Sequence, residues 1–180
     1  VVELFKKVLE YRKIFSEDTL QQCIKLMKEE YSKNYTKKTK PYEGIYELLD
    51  FLKANNYKIS VLSNKQHLFT LELVKHFFKD YNFVSVKGIE SPNERKPNPK
   101  LAIEIAKEMD IKPKEIFLVG DSANDILTAK NCGMISIGVT WGFKNIDEII
   151  SSNPNYIVNH PSEIKNIITI NKNHSYLPKK

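Results

Sequence analysis

Two carboxylates stand four positions apart in "IFLVGDSANDI", residues 116–126, where an apolar run stops and a helical pattern begins. Asp121 falls at the end of the expected strand. Asp125 falls in the first turn of the next helix, where free amides and the macrodipole favour negative charge. Like charges this close repel unless a cation lies between them, and carboxylate oxygens suit Mg2+, which keeps several waters of its own. A plainer reading also accounts for Gly-Asp-Ser taken alone: Asp121 or Ser122 simply caps the helix.

Two other places carry groups that could act with that pair. After "KISVL" come Ser63 and Asn64, offering a hydroxyl, an amide and successive backbone N–H groups suited to phosphate oxygens. On its own, Ser-Asn after a strand is ordinary turn chemistry. In "ERKPNPK", Lys96 is a cation flanked by Arg95 and stiffened by Pro97 and Pro99. Lysine binds phosphate as a point charge, although alone this is a surface lysine and Pro99 a favourable first-turn residue. Together, a hydroxyl, a fixed lysine and a carboxylate pair describe a site for Mg2+ plus a phosphate. Phosphoryl transfer needs its spreading negative charge neutralised and its geometry held by donors.

These groups act together only if the fold gathers them. Before residue 36, apolar residues recur at three and four: Leu4, Phe5, Val8 and Leu9, then Leu20, Ile24, Met27 and Tyr31, predicting a helical hairpin. Ser16, followed by Glu17 and Asp18, is the expected start of the second helix. Beyond "TKPYEG" the pattern alternates: a helix in "GIYELLDFLKANN", a strand in "KISVLS", a helix over 66–78, and a strand in "FVSV". Then come a helix over 99–109, the strand "IFLVG", a helix over 123–131, the strand "ISIGV", a helix over 146–151, the strand "YIV" and a helix from Pro161. Helices alternating with short β-branched runs predict an α/β fold, a doubly wound parallel sheet whose strands are buried on both faces. The crevice of such a sheet lies beyond the carboxyl ends of its strands, where Ser63, Lys96 and Asp121 all fall.

The chain of 180 residues is 41% hydrophobic and 28% charged, and no apolar run approaches a membrane span. Its net charge of +6 comes mostly from scattered lysines; the densest run, "KKTK" at 37–40, reads as a solvated helix end, so no nucleic-acid or membrane partner is expected. Cys23 and Cys132 lack zinc or disulfide spacing, which fits a reducing, cytoplasmic setting. His67, His76, His160 and His174 show no metal-binding spacing.

In order and spacing, these segments resemble the haloacid dehalogenase superfamily of phosphatases. "VLSNK" resembles its second motif, "RKPNP" its third and "VGDSANDI" its fourth. The phosphoglycolate phosphatase branch is echoed further in "KPYEGIYELLDFLK", "VKHFF", "GDSANDILTAKNCGM" and "GVTWGF". The resemblance implies a partial helical cap over 1–38, an α/β core over 39–170 and a loose tail over 171–180. It implies an Mg2+-dependent phosphomonoester hydrolase acting on a small phosphorylated metabolite through an aspartyl-phosphate, as a monomer or homodimer. By the same resemblance, Ser63 hydrogen-bonds the transferring phosphoryl group with Asn64 nearby, and Lys96 bridges phosphate and nucleophile. Asp121 ligates Mg2+, Asp125 ligates it or orients its waters, and Trp141 and Gly142 lie in a loop bordering the site.

One family motif is missing. The family's first motif, Asp-x-Asp-Gly-Thr after a first strand, supplies the nucleophile and the general acid and base. No Asp-x-Asp occurs in these 180 residues. In the family that first strand lies mid-sheet, between the strands expected at 58–62 and 116–119, so its absence leaves two unpaired edges unless the chain repacks. The expectation is an N-terminally truncated phosphatase with little or no turnover; the alternative is a non-catalytic remnant that binds phosphate or a protein partner.

Overall fold

The computed structural model describes residues 2–175, with side chains as far as residue 171. The chain divides into two compact units, Val1–Lys40 and Pro41–Lys180. The first holds α1 (Val2–Tyr11) and α2 (Glu17–Asn34), with Leu9 and Leu20 buried. Ser16 starts α2 as expected: its backbone is extended and its Oγ accepts the Thr19 N–H at 3.1 Å. Glu17 and Asp18 occupy the first turn, where the helix dipole favours them.

The second unit alternates helix and strand: α3 (Ile45–Ala54), β1 (Ile59–Gln66), α4 (His67–Phe77), β2 (Phe83–Ile89) and α5 (Lys100–Met109). It continues with β3 (Phe117–Gly120), α6 (Ala123–Cys132), β4 (Ile135–Val139), α7 (Ile146–Ser151), β5 (Tyr156–Val158) and α8 (Pro161–Ser175). All strand pairs are parallel, as the helical crossovers require. Helices cover both faces. Leu48, Leu49 and Leu52 of α3 and Ile164 and Ile168 of α8 pack with Ile137, Val139 and Val158 of the strands. A second core joins Ala102, Ile105, Ala106 and Met109 of α5 to Ile116, Ala129 and Met134. In β3, Phe117 packs on the first core and Leu118 on the second, the alternation that a strand imposes. Fully buried side chains such as Ile126, Ile137, Ile149 and Ile164 contribute about 1.5–3 kcal/mol each to stability. Among the described residues no helix is long and apolar enough to cross a membrane.

The strands form two sheets rather than one: β1 with β2, and β3-β4-β5. Only β4, between two partners, is buried along nearly its whole length. The expectation of strands buried on both faces does not hold for β1, which is half-buried over most of its length, or for β3, where Val119 is exposed. The cause is pairing. β1 and β3 each lack a neighbour on one side, and both line a single cavity of about 800 Å3. Leu48, Leu52, Phe83, Ile105 and Val139 form much of its apolar wall. Of the two outcomes expected for a missing strand, the structure shows open edges and not a repacked sheet.

Two other expectations need correction. Ser63 and Asn64 do not follow β1 but lie inside it, in an irregular stretch where Leu62 faces Lys87 and Gln66 faces Ile89. Four steps on β1 thus match two on β2, a bulge that re-aims side chains. At the other end, α8 continues through 171–175, into the segment expected as a loose tail. Within it, the Asn171 side chain donates to the Ile167 carbonyl at 2.8 Å and to the Tyr156 hydroxyl at 3.3 Å. The remainder of that tail, 176–180, lies outside the described residues.

Candidate active site

The carboxyl end of β3 brings Asp121 and Asp125 to one end of the cavity, and both line it. The two carboxylates have different surroundings. Asp125 is buried, 4% exposed, and both of its oxygens are engaged. Oδ2 accepts the Ser122 backbone N–H at 3.1 Å and the Ser122 hydroxyl at 2.6 Å, so Asp125 does secure the start of α6. Oδ1 receives the Lys96 ammonium at 2.5 Å. Of the two residues considered as caps, Ser122 is the N-cap of α6, with Asp125 completing a capping box, while the other oxygen of Asp125 meets Lys96.

Asp121 caps nothing. Its Oδ2 accepts the backbone N–H of Phe143 at 2.8 Å, from the loop after β4, while Oδ1 has no hydrogen bond among the described residues. Two glycines make these placements possible. A Cβ on Gly120 would stand 2.2 Å from the Asp125 Cβ, and one on Gly142 would stand 2.1 Å from the Asp121 Cβ. Real Cβ atoms do not approach so closely, so a side chain at either position displaces a carboxylate. Trp141, next to Gly142, packs against the first core and lines the cavity.

Lys96 enters from the loop after β2. Its ammonium also donates to the Leu62 carbonyl of β1 at 3.2 Å, and its side chain is 13% exposed. The loop is held at several points. Glu94 Oε2 accepts the N–H groups of Glu90 at 2.9 Å and Ser91 at 3.2 Å, and its Oε1 meets the Lys100 ammonium at 2.9 Å. Those backbone donors, with Lys100, pull the Glu94 carboxyl down from the usual 4.5 to about 2. Asn131 of α6 donates to the Pro97 carbonyl at 3.0 Å.

Ser63 Oγ accepts the Lys65 N–H at 3.1 Å, and its own O–H has no acceptor among the described residues. Asn64 faces Lys96: its Oδ1 accepts the Lys96 backbone N–H at 2.7 Å and its Nδ2 donates to the Lys96 carbonyl at 3.3 Å. The structure therefore joins Asn64, Lys96 and Asp125 through direct contacts. It joins Asp121 to the 140–143 loop instead. Sequence reasoning missed Ser122 as a partner of Asp125, and it missed Glu94 and Asn131. Ser91-Pro-Asn-Glu94 carries the Ser-x-x-Glu capping signature that reveals Glu94, whereas nothing in the sequence marks Asn131 or the Phe143 N–H.

For a divalent cation the donors are few: among the described residues no cluster of three or more His, Cys, Asp or Glu is placed to hold one. Mg2+ nonetheless tolerates one or two carboxylates, since water and substrate phosphate complete its octahedron. The free Oδ1 of Asp121 fits that role. Asp125, with both oxygens taken by Lys96 and Ser122, fits as a support that orients neighbours.

The model of the haloacid dehalogenase-like hydrolases matches residues 5–139. The phosphoglycolate phosphatase of Vibrio parahaemolyticus is 30% identical over 155 residues, covering 86% of this chain and 68% of that protein. The crystal structure of a predicted phosphoglycolate phosphatase from Haemophilus somnus superposes with a TM-score of 0.81 at 28% identity, over 88% of this chain and 70% of that one. A β-phosphoglucomutase from Clostridium difficile gives a TM-score of 0.72 over 99% of this chain and 78% of its own, and at 19% identity it speaks for the fold alone. Parallel strands with the Lys96–Asp125 pair and Asp121 beyond β3, a family model spanning most of the chain, and relatives that are phosphatases agree: the chain belongs to the haloacid dehalogenase-like hydrolases, among their phosphatases.

Proposed function

We propose that this chain forms the greater part of an Mg2+-dependent phosphomonoester hydrolase that acts in the cytoplasm on a small phosphorylated metabolite, with 2-phosphoglycolate as the leading substrate. The observation that carries the reading is the Lys96–Asp125 pair, whose carboxylate lines the open cavity together with Asp121. Substrate choice rests on the relatives named phosphoglycolate phosphatase.

In this reading the Lys96 ammonium turns from Asp125 toward the incoming phosphate and offsets its charge. Ser63 donates its O–H to a phosphoryl oxygen, and Asp121 offers Oδ1 to the metal. Asp125 stays buried on Ser122, keeping a negative charge beneath Lys96. Bound Mg2+ supplies Lewis-acid neutralisation of the phosphoryl oxygens. The attacking aspartate belongs to a β-strand that fills the cavity between β1 and β3, since these residues contain no Asp-x-Asp. Two features support a strand there: the open edges of β1 and β3, and Ser60 Oγ, a buried hydroxyl on the cavity wall with no hydrogen bond among the described residues.

The test is phosphate release by the 180-residue chain from 2-phosphoglycolate and p-nitrophenyl phosphate with Mg2+. Little or no turnover is expected. Robust activity, abolished by Asp121→Asn, refutes the need for an aspartate outside these residues.

A further inference from the structure

Asn64 stands where a substrate ligand is expected, yet both ends of its amide are occupied. Oδ1 and Nδ2 close two hydrogen bonds on the backbone N–H and C=O of one residue, Lys96, which lies 32 positions away in the chain. A side-chain amide bonded this way acts as an extra strand neighbour for that residue. Two residues before Asn64, the Leu62 carbonyl takes the Lys96 ammonium. The irregular end of β1 therefore holds Lys96 twice, by its main chain through Asn64 and by its side-chain end through Leu62. Few side chains can replace the amide: Asp keeps the acceptor and loses the donor, while Ala loses both.

We propose that Asn64 is a positioning residue that sets the Lys96 ammonium against Asp125 and does not itself bind phosphate. The proposal rests on the reading above in assigning Lys96 to the phosphate, but its main test does not depend on turnover. A lysine that is mostly buried and paired to Asp125 reacts slowly with an amine-directed reagent. Loosening its backbone frees the ammonium and speeds the reaction.

The experiment labels the folded 180-residue chain with acetic anhydride and measures acetylation of Lys96 by peptide mass spectrometry, with the more exposed Lys100 as internal reference. Asn64→Ala is expected to raise Lys96 labelling about thirtyfold, the scale of two lost hydrogen bonds. Asn64→Asp should give a smaller rise, because the bond from the Lys96 N–H survives. Asn131→Ala, which frees the same loop at Pro97 without touching Lys96, should leave Lys96 labelling unchanged. Unchanged labelling in folded Asn64→Ala, or an equal rise in Asn131→Ala, overturns the proposal. In any active form of the enzyme, Asn64→Ala should lower kcat and leave KM unchanged. A raised KM with kcat intact makes Asn64 a substrate ligand and overturns it as well. Absence of phosphatase activity in a folded chain that also carries the Asp-x-Asp strand refutes the functional reading alone, since labelling reports where Lys96 sits.

Discussion

Removing the Lys96 charge should destabilise the fold before any question of catalysis arises. Lys96→Met keeps the aliphatic stem but leaves Asp125 buried at 4% exposure without its cation. Breaking one side of a buried pair generally costs about 3–5 kcal/mol. Here Ser122 still gives Oδ2 two hydrogen bonds, so the lower end, about 3 kcal/mol, is expected. For a chain of this size that corresponds to a fall in Tm of about 6–12 °C. Asp125→Asn in the same background removes the stranded charge while keeping the size of the side chain, so the double variant should lose less than the sum of the singles, with a coupling of about 2 kcal/mol. Urea denaturation at neutral pH of the parent, both singles and the double measures all four stabilities. A cost below about 1 kcal/mol for Lys96→Met, the range of exposed ion pairs, or a cost that is the same with Asn at 125, refutes the claim that the pair is desolvated and coupled.

Three more outcomes follow from the geometry. Glu94 has a folded pKa near 2 against an ordinary 4.5, so it binds fewer protons folded than unfolded; its contribution is complete above pH 4.5 and is lost as pH falls toward 2. Acid melts of Glu94→Gln should therefore lose part of the stability change between those pH values, and an unchanged profile counts against the Glu94 clamp. Gly142→Ala forces Asp121 aside and should cost about 2 kcal/mol by overpacking, read by urea denaturation, with any Mg2+-dependent activity lost; full stability with intact activity would falsify the close approach. Ser60→Ala removes a buried hydroxyl with no partner and should leave the stability of this chain unchanged or raise it by up to about 1 kcal/mol, so a clear loss reveals a hydrogen bond to Ser60.

The alternation of β-branched runs with amphipathic segments was enough to place β1 to β5 and α3 to α8 within a few residues, because hydrophobic period reports local structure directly. Ser16 was legible for the same reason, since a cap is a local arrangement. Pairing was harder to read. Whether β1 touches β3 is settled by long-range packing, and no local pattern decides between an open edge and a repacked sheet. Among the site residues, the order Ser63, Lys96, Asp121, Asp125 along the chain marked the groups, yet their partners are long-range. The amide of Asn64 looked like a phosphate ligand because its type and place suit one. Only tertiary geometry shows it bonded to the backbone of Lys96, and only geometry shows Asp125 serving Ser122 and Lys96 at once.

The proposed strand between β1 and β3 offers the most direct test. A chain preceded by an apolar β-strand ending in Asp-x-Asp-Gly-Thr, assayed for phosphate release from 2-phosphoglycolate with Mg2+, should turn over where the 180-residue chain does not. That activity should disappear with Asp121→Asn and with Lys96→Met. If the extended chain folds and stays inactive, or if its activity survives both substitutions, then the carboxylates and lysine beside the cavity are not the machinery of a phosphatase.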